Sequence, residues 1–129
     1  GRVGVGEVEA ALDRLAAELG VSLRHVQSNH EGVLVDAVQA AASEGFAGAV
    51  CNAGGLTHTS VCLRDAFLGT GLPFVEVHVS NVAAREAFRH RSLLSDVAAG
   101  VVFGFGVAGY GLALRGLVER LGAAARSDG

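Results

Sequence analysis

The fold this sequence predicts is α/β, a doubly wound parallel sheet sandwiched by helices in one domain over residues 1–129, and three observations predict it. Helix-like and strand-like segments alternate as αβαβαβαβα, the order that crossover-connected parallel strands produce. FAGAV and GVVFG are apolar on both strand faces, as strands covered by helices on both sides must be. Polar clusters fall at the ends of the strand-like runs, where ligands collect in sheets of this kind.

The elements follow in order. EVEAALDRLAAEL at 7–19 places Val8, Ala11, Leu12, Leu15 and Leu19 on one helical face, with Gly20 as its stop. VSLRHVQ at 21–27 alternates like a strand near an edge, and SNHEG turns it into a second helix at about 32–44, ended by Gly45. The strand AGAVC leads to CNAGGLTHTS and a helix over roughly 58–68, for which Thr57 or Thr59 is the candidate cap. LPFVEVHV at 72–79 is a strand with Pro73 at its start, where a missing N–H is tolerated. A short helix near 82–87 and the irregular stretch FRHRSLLSD precede the strand GVVFG at 100–104. The last helix, about 107–122, turns Tyr110, Ala113, Leu114, Leu117, Val118 and Leu121 to the core, and the tail AAARSDG is small and polar enough to fray. The chain opens on GRVGVG and a helix, whereas a right-handed crossover starts from a strand. Either the fold begins with a helix or a leading strand lies outside this sequence.

Composition narrows the function. Half the residues are hydrophobic, enough for a real core, and a net charge of −3 with scattered Arg argues against a nucleic-acid partner. No apolar run is long enough to span a membrane and no signal peptide is visible, so the expectation is a cytoplasmic protein with no membrane partner. Cys51 and Cys62 fall at predicted core positions without metal-ligand spacing, which suits a reducing compartment and no structural zinc.

The chemistry sits at the strand ends: Ser28-Asn29-His30, Asn52 to Ser60, Glu76 to Asn81, and the glycines after Val102. Glu76 and His78 are two residues apart on a strand and so share a face. A carboxylate beside an imidazole orients it and raises its pKa, which suits a general acid near neutrality; a solvated pair at a strand terminus would show the same spacing. Asn52 is either a turn former or an amide that holds a water or an oxyanion, and His58 follows a Gly-Gly turn near a helix start. Arg89, His90 and Arg91 read as a solvated run, and His25, His30 and Asp13 as surface or structural groups. GFGVAG at 104–109 is a weak phosphate-loop signal without an acidic partner downstream.

Taken together, QSNHEG, NAGGLTHTSVCLRDA, EVHVSN, AREAFRH and GYGLAL resemble type II 3-dehydroquinate dehydratase over nearly the whole chain. That resemblance implies a flavodoxin-like fold, a homo-dodecamer built from trimers, and a shikimate-pathway lyase that removes water from 3-dehydroquinate by anti elimination through an enolate, with no cofactor and no metal. It implies His78 as the acid that protonates the leaving hydroxyl, Glu76 as its orienting carboxylate, and Asn52 as the amide that binds substrate and holds a water facing the enolate. His58 and Arg89 would bind substrate hydroxyls, the backbone at Val79 and Ser80 would cradle the substrate carboxylate, and Asp65 would reach the site of a neighbouring subunit. The family begins with a strand, an Asn-rich loop and a lid that carries an Arg and the catalytic Tyr, all ahead of the position matched by Gly1. That segment is expected outside this sequence, which as it stands has the acid and the binding groups without the base; Tyr110 lies in the last helix and does not match that Tyr. The alternative is a catalytically silent relative that binds a polyhydroxy carboxylate or serves as an assembly subunit.

Overall fold

Helical periodicity and glycine stops set the helices. In a computed structural model that describes residues 4–128, with side chains described to residue 123, α1 (Val5–Leu19) ends at Gly20, whose φ of 75° is the left-handed conformation a helix stop favours. α2 (Glu31–Ser43), β1 (Ala49–Cys51), α3 (Val61–Thr70), β2 (Phe74–His78), β3 (Gly100–Phe103) and α4 (Ala108–Asp128) follow. The three strands form a parallel sheet in the order β1-β2-β3, with Val50 opposite Val75 and Val77 opposite Val102.

The strand period of two divides β2 between the two faces of the sheet. Val75 and Val77 face α4 and pack on Ala113 and Leu117, with α1 lying against α4. Phe74 faces α2 and α3, where Val38, Leu63, Ala66 and Phe67 close the core; the Phe67 and Phe74 rings stack with centroids 3.8 Å apart. Helices therefore cover both faces of the sheet around Phe74, as apolar strands require, whereas on β3 Val101 and Phe103 stay exposed on the face away from α4. Beyond Phe74 its face is covered by short 3-10 turns at Val82–Ala84 and Ala87–His90 and by the loop around Leu94, which is fully buried. That change from helix to loop leaves room over the carboxyl end of β2.

Several expectations are corrected. VSLRHVQ is not a strand but an irregular connection. Alternation supplies two faces but not a ladder, and no described strand flanks this segment. Side chains hold it instead: His25 Nε2 lies 2.8 Å from Asp13 Oδ1, and Arg24 pairs with Glu44 and stacks on Phe46. The helix expected from residue 58 starts at Val61, behind a 3-10 turn at Gly54–His58. Its cap is Ser60, whose hydroxyl accepts from the Leu63 N–H at 2.9 Å, rather than either flanking Thr. The short helix near 82–87 is the pair of 3-10 turns just described. Cys62 is exposed, because Leu63, Ala66 and Phe67 take the inward face of α3. Cys51 is half-buried beside Glu76, and burial pushes its thiol up to about 12. The last helix runs through the expected frayed tail to Asp128, while Gly1 to Val3 and Gly129 lie outside the described residues.

Candidate active site

Because β2 alternates, Glu76 and His78 follow Phe74 on the same face and end up at the edge of the helical cover. Both are buried, and His78 Nε2 lies 2.5 Å from Glu76 Oε2. A carboxylate can only accept, so Nε2 carries the hydrogen and Nδ1 is the ring nitrogen left for chemistry. The other carboxylate oxygen, Glu76 Oε1, accepts from the hydroxyls of Ser92 and Ser95, each at 2.9 Å. Burial pushes the Glu76 carboxyl up, but the hydrogen bonds from His78, Ser95 and Ser92 together outweigh it and hold the group below the usual carboxylate range. The dyad is thus a buried carboxylate, kept ionised, against an imidazole.

A cavity of about 130 Å³ opens over this pair, lined by His58, Glu76, His78, Arg89 and His90 on its polar side and by Val82, Val101 and Phe103 on its apolar side. His58 comes from the 3-10 turn after β1, and its Nδ1 lies 2.8 Å from the Arg91 carbonyl. A carbonyl accepts, so Nδ1–H donates and Nε2 is left with its lone pair when the ring is neutral. The His58 ring lies nearly parallel to that of His78, with centroids 6.4 Å apart, and meets the edge of Phe88. Arg89 donates from Nε to Glu86 at 2.7 Å and lies over the Phe88 ring, so its guanidinium is braced on two sides. Three histidines, a glutamate and an arginine in a small, partly apolar space suit a compact, polyhydroxylated anion.

The structure thus brings together His78, Glu76, His58 and Arg89. It does not bring the other expected residues into this cavity. Asn52 lies outside the lining: its Oδ1 accepts from the Gly54 N–H at 3.1 Å, and its Nδ2 donates to the Tyr110 hydroxyl at 2.7 Å. Asp65 is exposed on α3, away from the cavity. Val79 is exposed and its carbonyl accepts from the Gly106 N–H at 2.8 Å, while the Ser80 hydroxyl accepts from Arg85 at 3.4 Å. Among the described residues no cluster of His, Cys, Asp and Glu has the arrangement of a metal site. The sequence reading missed Ser92, Ser95 and Phe103, and took His90, which lines the cavity, as part of a solvated run. The serines carried a usable signal, an i, i+3 pair in SLLS right after FRHR; Phe103 carried none, since an aromatic in a strand is ordinarily core.

Comparison with known proteins gives a consistent picture. The family described as Dehydroquinase class II matches residues 1–118. A catabolic 3-dehydroquinase of Pyricularia oryzae is 55% identical over 126 residues, 97% of this chain and 80% of that protein. A 3-dehydroquinate dehydratase of Halorhodospira halophila is 52% identical over 122 residues, 95% of this chain and 82% of that one. Among solved structures, the type II dehydroquinase of Butyrivibrio crossotus superposes with a TM-score of 0.87 at 35% identity, over 91% of this chain and 81% of that one. The type II dehydroquinase of Propionibacterium acnes does so at 0.82 and 33%, over 89% and 79%.

Proposed function

The chain belongs to the class II dehydroquinase family, with a flavodoxin-like fold, and from that premise we propose that its cavity binds 3-dehydroquinate and removes water from it to give 3-dehydroshikimate. The observation that carries the reading is the buried Glu76–His78 pair at the cavity floor. An anti elimination through an enolate needs a base to take the proton beside the ketone, the role the resemblance gives to a lid Tyr; the enolate so formed expels the hydroxyl, which takes a proton from His78 through the nitrogen that Glu76 leaves available. Glu76 stays ionised and keeps the imidazolium in one orientation. Arg89, braced by Glu86 and Phe88, and His58, fixed by the Arg91 carbonyl, bind substrate hydroxyls. Asn52, outside the lining and hydrogen-bonded to Tyr110, binds substrate and holds a water toward the enolate, and the backbone at Val79 and Ser80 cradles the substrate carboxylate. Tyr110 is not proposed as the base, because its hydroxyl meets Asn52 rather than the cavity.

In this reading the chain acts as a single dehydratase domain in the cytoplasm without metal or cofactor, and assembles as a dodecamer of trimers. Exposure of Asp65 on α3 leaves it available to a neighbouring subunit's site. No helix among the described residues is long and apolar enough to cross a membrane.

The test is growth of enone absorbance when the protein is mixed with 3-dehydroquinate, alongside a binding titration. His78→Ala should lower kcat by about 10²–10⁴-fold, the usual worth of a positioned acid. Near-normal turnover in that variant would remove His78 from the role. Binding without turnover in the unaltered chain would mean that Asn52, His58, His78 and Arg89 form a real site that lacks its base, and light scattering that gave a mass other than twelve chains would correct the assembly.

A further inference from the structure

The side chains that touch Glu76 extend beyond the acid itself. Oε1, the oxygen turned away from His78, is met by two hydroxyls from a separate part of the chain, Ser92 and Ser95, both at 2.9 Å. Their loop is itself held. The Ser92 oxygen accepts the N–H groups of Leu94 and Ser95, Leu94 is buried in the core beside Phe67 and Phe74, and Leu93 N–H donates to the Thr57 carbonyl. From α3, Arg64 grips Asp96 through two hydrogen bonds and the Leu93 carbonyl through a third. A continuous set of contacts therefore runs from α3 through the 92–96 turn to the carboxylate behind His78.

We propose that Ser92 and Ser95 are positioning residues of the dehydratase site: their hydroxyls fix the Glu76 carboxylate, as an anion and in one rotamer, so that Glu76 presents His78 to the substrate. The reason is geometric. A glutamate with only the imidazole as partner swings about its last torsion, since terminal sp³–sp² torsions are broad. Donors on Oε1 and on Oε2 together leave it one orientation. Two neutral hydroxyls do this without setting a second positive charge against the imidazolium, as a Lys or Arg there would. The other groups facing the carboxylate do not replace them. Cys51, its register partner on β1, is held as the neutral thiol, Val101 opposite it on β3 has no charge, and His58, Arg89 and His90 lie across the cavity. Arg64 and Asp96 bind one another.

The catalytic consequence rests on the reading of His78 as the acid, so the decisive measurement does not use turnover. In the full chain labelled with ¹³C, the Glu76 carboxyl carbon and the His78 ring are titrated by NMR. Ser95→Ala, which removes a hydroxyl whose side-chain bond goes to Glu76, should raise the Glu76 midpoint by about one pH unit, and Ser92→Ala/Ser95→Ala by more. Ser95→Thr keeps a hydroxyl and should restore the unaltered value, and Ser43→Ala, in α2, should leave it unmoved. If the double variant does not fold, Ser95→Ala alone decides. In turnover assays the same variants should show the acid limb of kcat displaced upward with KM unchanged. Titration of Glu76 in Ser95→Ala within about 0.3 pH unit of the unaltered protein overturns the proposal. A shifted midpoint in a protein that does not bind 3-dehydroquinate by titration sinks the function and leaves the positioning intact. An unshifted midpoint in an active enzyme does the reverse.

Discussion

At the scale of the residue, the amide of Asn52 shows how a proposed site group is oriented. Its oxygen takes the Gly54 N–H of its own turn, which leaves its nitrogen to donate to the hydroxyl of Tyr110, 58 positions later. Tyr110→Phe removes that acceptor. Asn52 is exposed, so water replaces the lost bond in part, and the expected cost is about 0.5–1.5 kcal/mol in urea unfolding. The sharper expectation concerns binding: with the amide free to turn, 3-dehydroquinate should bind more weakly by titration, and equal affinity would mean that Asn52 needs no help from Tyr110. Glu76 and His78 were legible as a pair because two residues along a strand always share a face. Asn52 and Tyr110 were each legible alone, one as a strand-ending amide and one on a helix face, but nothing local joins them.

At the scale of the element, the helices obeyed their periodicity, and in α3 a side-chain cap decided where the helix began. Ser60 holds the first turn of α3 through the Leu63 N–H, and Ser60→Ala should lower stability by about 0.5–2 kcal/mol, read as a fall in the unfolding midpoint. β1 enters the sheet at Gly48, where an added Cβ would stand 3.0 Å from the Pro73 carbonyl oxygen and 3.1 Å from Leu117. A backbone oxygen cannot turn aside, so Gly48→Ala should destabilise by about 1–3 kcal/mol, and a thermal midpoint equal to that of the unaltered chain would show that the strand and α4 separate easily. VSLRHVQ marks the limit of element reading. Its alternation is as clear as that of many strands, yet a strand exists only with a partner, and the partner is a property of the sheet.

At the scale of the whole molecule, the buried dyad makes stability depend on pH. The Glu76 carboxyl titrates lower in the folded chain than in the unfolded one, so it contributes stability that is fully present above the ordinary glutamate value of about 4.3 and is lost as pH falls through its folded value. Asp96, lowered chiefly by its hydrogen bonds from Arg64, acts in the same sense from the surface, where solvent screens it. The thermal midpoint should therefore fall between roughly pH 5 and pH 3, and Glu76→Gln should flatten part of that fall; an unchanged slope would place the acid sensitivity elsewhere. The sequence by itself determined the helix and strand periods, the apolar strands that call for helices on both faces, and the strand end at which the imidazole and carboxylate stand, because periodicity and burial preference are written in neighbouring residues. Only the tertiary structure decided that Ser92 and Ser95 meet Glu76, that Arg64 braces their turn, that Tyr110 takes the Asn52 amide and that residues 21–27 form no strand. Each of those depends on which distant segments the packed core brings within about 3 Å, the reach of a hydrogen bond, and that distance is fixed by the path of the chain.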